Sequence, residues 1–132
     1  MKEYMQPKWW LTGVGTIFTI FMLLTYTEIM NAAETGWGAD NYDNRDVFYE
    51  KAWSSNVLWV AIIALASGFL IEGRALSIVA MAISGGYVLS FILQNLANGD
   101  LGYGYLEPAN AAPGMVAAAG LLLSGYLHLG DE

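Results

Sequence analysis

Four long stretches of this chain carry no formal charge, and that pattern constrains its fold more than any other feature. They run from Trp9 to Thr27, Ser54 to Ile71, Ala75 to Gly99 and Pro108 to Gly130, the last broken only by His128. Each is at least 18 residues long, and about 20 residues of helix at ~1.5 Å rise cross the ~30 Å hydrocarbon core of a bilayer. Four transmembrane helices are predicted, at about residues 9–30, 54–72, 76–96 and 114–129. The expected fold is all-α: a single four-helix transmembrane domain over residues 1–132, with a structured outer loop between the first and second helices.

Composition supports this. Apolar residues make up 56% of the chain and charged residues 13%, against about 25% charged in an average soluble domain. A net charge of −7 offers no basic patch for nucleic acid and no polybasic segment for anionic lipid heads. The chain has no cysteine, which excludes a disulfide framework, a thiolate metal site and a cysteine nucleophile. The first apolar run resembles a secretory signal in having a charged start and small residues at Ala32 and Ala33. It is longer than a signal core, however, and Asn31 stands where a small residue belongs, so it is read as a membrane helix.

Lysine and arginine near helix ends set the expected orientation in a cell or plasma membrane. Lys2, Lys8 and Arg74 fall on one side and Arg45 and Lys51 on the other, which puts both termini in the cytoplasm. Trp9 and Trp10 occupy an interfacial aromatic position after Pro7-Lys8. Gly73, in "IEGRA", permits a tight reversal between the second and third helices. Glu72 and Arg74 beside it mark the inner boundary, where long side chains reach water. His128, in the last turn of the fourth helix, suits the negative end of the helix dipole.

Small residues recur at helical spacing. Ala82, Gly86 and Ser90 share a face of the third helix with Gln94, as do Ala64 and Gly68 on the second. Gly114, Ala118, Gly120 and Ser124 give the fourth helix a small-residue surface. In lipid such rows let backbones approach, either within the bundle or against another subunit. "SGG" at Ser84 to Gly86 marks a place where the third helix could break, although helical packing explains it more simply.

Polar groups in or near the spans are few. Glu28 is expected at the outer headgroups, as a wet helix end or as an ion or proton acceptor with Tyr26. Gln94 and Asn95 are the deepest strong amides and would meet Glu28 if the first and third helices adjoin. The segment "DNYDNRDVFYEKAW" packs six charges into fourteen residues. It fails the alternation of a calcium loop, because no frame has glycine at the sixth position. It reads as a short amphipathic helix lying at the outer surface, with Phe48, Tyr49 and Trp53 in the interface. Asp43, Asp46 and Glu50 then share a face turned to water or to a partner, forming an outer docking patch. Asp40, Asp43 and Asp100 are the candidate ligands for a bridging divalent cation.

No histidine cluster, phosphate loop, Ser/His/Asp set or intramembrane charge run is present, and no cofactor is expected. Chemistry by this chain alone is not expected either. The expected role is that of a non-catalytic accessory subunit in a larger membrane complex, of the respiratory or metal-dependent membrane oxidase or monooxygenase type. The other class is a small homo-oligomeric carrier or channel, with Glu28, Gln94 and Asn95 lining a path between copies. The partners expected are the lipid bilayer and other membrane subunits or copies of the chain, not nucleic acid.

Overall fold

The computed structural model describes residues 2–131, apart from the side chains at 98 and 99. Five α-helices follow in order: α1 Pro7–Tyr26, α2 Ala32–Trp37, α3 Asn44–Leu70, α4 Gly73–Asn98 and α5 Pro108–Leu127. Two 3₁₀ turns, Gly99–Leu101 and Gly104–Leu106, join α4 to α5. Among the described residues there is no strand. The four long helices are apolar and long enough to cross a bilayer, so the chain is a multi-pass membrane helix bundle.

The helix ends differ from the sequence expectation for local reasons. α1 begins at Pro7, because a proline at the first helical position forfeits a hydrogen bond that would not exist anyway. It ends near Tyr26 rather than Met30, because Glu28 adopts φ 62°, the left-handed region that stops a helix. The expected flat interfacial helix does not form. Its residues are instead the first turns of α3, a continuous helix of 27 residues, roughly 40 Å long at ~1.5 Å per residue. Asp43 sets the start: its Oδ1 accepts from the amides of Arg45 (2.7 Å) and Asp46 (3.3 Å). Asp46 Oδ2 in return accepts from the Asp43 amide at 2.8 Å, completing a capping box. The helix exceeds the ~30 Å bilayer core, so its first two turns stand in the cap region.

α5 likewise begins earlier than expected, at Pro108. Pro113 removes only the bond to the Ala109 carbonyl, and Ala109 is exposed. Gly73 holds φ 60° at the α3–α4 reversal, as the tight turn requires. α4 runs unbroken through Ser84 to Gly86.

α1 packs most extensively on α3, and α4 on α5. Each contact depends on absent side chains. A Cβ on Gly15 would lie 2.7 Å from the Leu65 amide nitrogen and 2.8 Å from the Ala61 carbonyl. One on Gly125 would lie 2.6 Å from the Ser77 carbonyl. Ser84 Oγ donates to the Ala118 carbonyl at 2.7 Å, crossing from α4 to α5. The two pairs meet through Leu11, Ala64, Leu76, Ala80 and Leu121. The Trp10 ring fills the space over Gly120, where a Cβ would come within 2.1 Å of it. Apart from Leu11, the largest fully buried side chains are Ser54, Ser77, Ser84 and Ser124. A core this small is what close helix approach in lipid demands, while Ile17, Phe21, Ile62, Phe69 and Leu89 remain exposed on the outside.

Residues near both ends of the chain meet on one face of the bundle. Lys2 Nζ pairs with Asp131 Oδ1 at 2.5 Å. The buried His128 ring lies between them, with Nε2 2.9 Å from the Lys2 carbonyl and Nδ1 2.6 Å from Asp131 Oδ2. Both nitrogens face acceptors, so His128 holds a clasp between the ends rather than only capping a dipole. Lys2 and then His128 hold the Asp131 carboxyl below the usual carboxylate range.

Helix approach at Gly15 is testable against a position on the same helix. Gly15→Ala should lower stability by about 1–3 kcal/mol, the usual cost of overpacking. Gly13→Ala, with nothing within 4 Å of its Cβ, should leave stability unchanged or raise it. Thermal unfolding midpoints of the two variants in one detergent check this.

Candidate functional site

The most developed polar site lies at the N-terminal end of α3, beneath a cap made of α2 and the turns between α4 and α5. α2 is short but well anchored. Asn31 Oδ1 accepts from the Glu34 amide at 3.2 Å, and Asn31 Nδ2 donates to Tyr42 Oη at 2.7 Å. Gly38, with φ 88°, ends the helix. The underside of α2 is bare at Gly36, where a Cβ would come within 2.5 Å of the Tyr103 ring and 3.3 Å of Glu50 Oε1. Gly104 meets α2 from the other loop, with its Cβ position 2.4 Å from the Thr35 carbonyl. Asn110 Nδ2 donates to the Gly104 carbonyl at 2.8 Å and so fixes that loop to the start of α5.

Glu50 sits under this lid. It is 7% exposed, and Tyr103 donates its hydroxyl to Glu50 Oε1 at 2.5 Å. The Tyr103 ring packs on Trp37 and Tyr105, with centroids 4.9 and 5.5 Å away. Burial pushes the Glu50 carboxyl above its ordinary value; the Tyr103 hydrogen bond opposes this and the nearby Asp46 charge adds to it. Burial, followed by the hydrogen bond to Glu50, also pushes the Tyr103 phenol well above its ordinary range. Behind Glu50 lies a cavity of ≈ 20 Å³, lined in part by Thr25, Glu28, Asn31, Ala33 and Lys51. Lys51 Nζ is paired with Glu28.

The other acids of the expected docking patch have different neighbours. Asp43 and Asp46 are engaged in the α3 cap, and Arg45 pairs with Asp43 at 3.1 Å. The Arg45 amide, then its guanidinium, holds the Asp43 carboxyl below the usual range. Glu50 therefore departs from the patch: it faces Tyr103 rather than water. The described residues contain no group of three His, Cys, Asp or Glu side chains placed to hold a metal ion, so Asp40, Asp43 and Asp100 are not gathered into one. Glu28 meets Lys51, not the amides of α4. Asn95 Nδ2 donates to the Phe91 carbonyl at 2.9 Å, and Gln94 Nε2 lies 3.5 Å from Ser90 Oγ.

The small-residue rows divide between inside and outside. Ala64, Gly68, Ala118, Gly120 and Ser124 are buried within the bundle. Gly114 lies against the Tyr87 hydroxyl. By contrast, Ala82, Gly86 and Ser90 are exposed, and nothing lies within 4 Å of a Cβ placed on Gly85 or Gly86. With Gln94 and Ala97, Gly86 and Ser90 line an open groove of ≈ 370 Å³ walled by Leu89 and Leu93.

Sequence alone missed Tyr103, Gly36 and Gly104. The signal available was the repeated glycine-tyrosine of "GYGY" in a loop otherwise rich in glycine and proline. Gly104→Ala places a methyl against the Thr35 backbone and should lift α2 off the loop. Cleavage by protease between residues 38 and 43 should then accelerate, while the helical content by circular dichroism falls by no more than the six residues of α2.

Comparison with known proteins returns no match: no family model, no curated protein and no solved structure is similar to this chain.

Proposed function

We propose that this chain is a non-catalytic subunit of a larger membrane complex and that the exposed face of α4 docks against a transmembrane helix of another subunit. The observation that carries this is the outward turn of the Ala82, Gly86 and Ser90 row. Glycine inside a helix costs about 1 kcal/mol relative to alanine. Gly15, Gly68 and Gly125 offset that cost by close backbone contact within the chain. Gly85 and Gly86 have no such contact, and a neighbouring helix would supply it. The Gln94 amide, about two turns further along the same groove, adds a group that gains from a polar partner across a helix interface.

The class of complex expected from the sequence, a respiratory or metal-dependent oxidase or monooxygenase assembly, would place redox cofactors in the partner chains. The part played by this chain is to fill a helix position and to present its cap at the membrane surface.

Purification from the native membrane in mild detergent tests the proposal. The wild-type chain should bring other membrane subunits with it in fixed ratio. Gly86→Leu should cut that recovery at least tenfold and leave the thermal midpoint of the isolated chain unchanged or raised, because nothing lies within 4 Å of the added Cβ and the helical glycine is removed. Recovery of the wild-type chain alone, or only as a homo-oligomer, would overturn the subunit proposal; the homo-oligomer would favour a carrier or channel.

A further inference from the structure

Glu50 is the one buried carboxylate among the described residues, and its surroundings suit it better neutral than charged. Three elements face it. From the loop before α5 come Tyr103, which donates to Oε1, and Tyr105, packed on the Tyr103 ring. From α2 comes bare Gly36. From the turn after α1 comes Glu28, which lines the same small cavity. On α3 itself, Asp46 is one turn earlier and Lys51 is the next residue. The only cation in this group is Lys51, and its ammonium is taken by Glu28. An ionised Glu50 would have one hydroxyl donor, a second acid nearby and no free cation, an unfavourable setting for a buried charge. The ≈ 20 Å³ cavity behind it has room for about one water molecule, a hydrogen-bond partner for the neutral carboxyl.

We propose that Glu50 is a proton-binding site whose occupancy holds the cap, α2 with the Gly99–Leu106 segment, closed over the end of α3. The proton comes from water and is carried on the carboxyl oxygen that Tyr103 does not touch. When the cap opens, Glu50 returns the proton to water and is solvated as a carboxylate. The direction of the pH effect follows from an acid whose folded value is raised, chiefly by burial. Stabilisation of the closed cap is complete below the ordinary glutamate value of about 4.3. It is lost as pH rises through the value Glu50 has in the closed state. Acidification therefore tightens the cap and alkalinisation loosens it. The site lies apart from the exposed face of α4, so either proposal can fail without the other.

The cysteine-free chain makes opening measurable by thiol labelling in detergent. Ala33→Cys places a thiol at a position 2% exposed, in the wall of the same cavity. Asn41→Cys, at an exposed position, serves as the reference for the intrinsic pH dependence of the reagent. With a methanethiosulfonate reagent, the labelling rate at position 33 relative to position 41 should rise at least fivefold between about pH 5 and about pH 8, a range above the ordinary glutamate value. In the Glu50→Gln background the ratio should be low and flat, because the amide oxygen still accepts from Tyr103 and carries no charge. Tyr103→Phe should raise the ratio at every pH by removing the donor. A flat ratio in the chain with native Glu50, or an unchanged slope in Glu50→Gln with native helical content, would overturn the proposal.

Discussion

Close contact between the backbones of α1 and α3 at Gly15 and Gly68 is the constraint on which the rest of the bundle depends. Lipid offers no hydrophobic drive toward helix association, so dispersion and a few polar contacts must hold helices together. Both act only at short range, and at Gly15 the partner backbone stands where a side chain would begin. That approach positions Trp10 to cover Gly120, which joins α5 to α1 and fixes the second helix pair against the first. The same economy explains a core of buried serines. A large side chain at Ser84 would separate α4 from α5 and remove the hydrogen bond to the Ala118 carbonyl.

The cap follows a different physical logic, because it lies where water competes for every polar group. Its anchors are hydrogen bonds and ion pairs between residues far apart in sequence: Glu28 with Lys51, Asn31 with Tyr42, Glu50 with Tyr103. Each keeps a short segment in place that could not hold its shape alone; α2 has only six residues, far too few for an independent helix. The residue at φ 62°, Glu28, costs on the order of 1–3 kcal/mol in such a conformation; its pairing with Lys51 and the hydrogen bond from the Met30 amide to the Leu24 carbonyl offset that cost.

The four spans were legible because charge and hydropathy are local properties, and the Gly73 reversal because a tight turn has a local chemical signature. The continuity of α3 was not, since "DVFYEKAW" satisfies the pattern of an interfacial helix equally well; the Asp43–Asp46 capping box decides it. The spacing of Ala82, Gly86 and Ser90 reveals a shared face, but periodicity is silent on which way that face turns. The burial of Glu50 was hidden for another reason. Its covering hydroxyl comes from Tyr103, 53 residues away, and no local pattern connects the two.

The division of the bundle into an α1–α3 pair and an α4–α5 pair, meeting at the Gly73 reversal, also bears on how the chain is made. Each close pair is complete within one half of the sequence. The first can therefore settle in the membrane while the second is still being translated, leaving Leu11 without Leu76, Ala80 and Leu121 and the Trp10 ring without Gly120 until α4 and α5 arrive. The clasp of Lys2, His128 and Asp131 can close only once α5 is in place. The contact between α1 and α3 thus needs neither α4 nor α5, whereas the Trp10–Gly120 contact and the clasp both need α5.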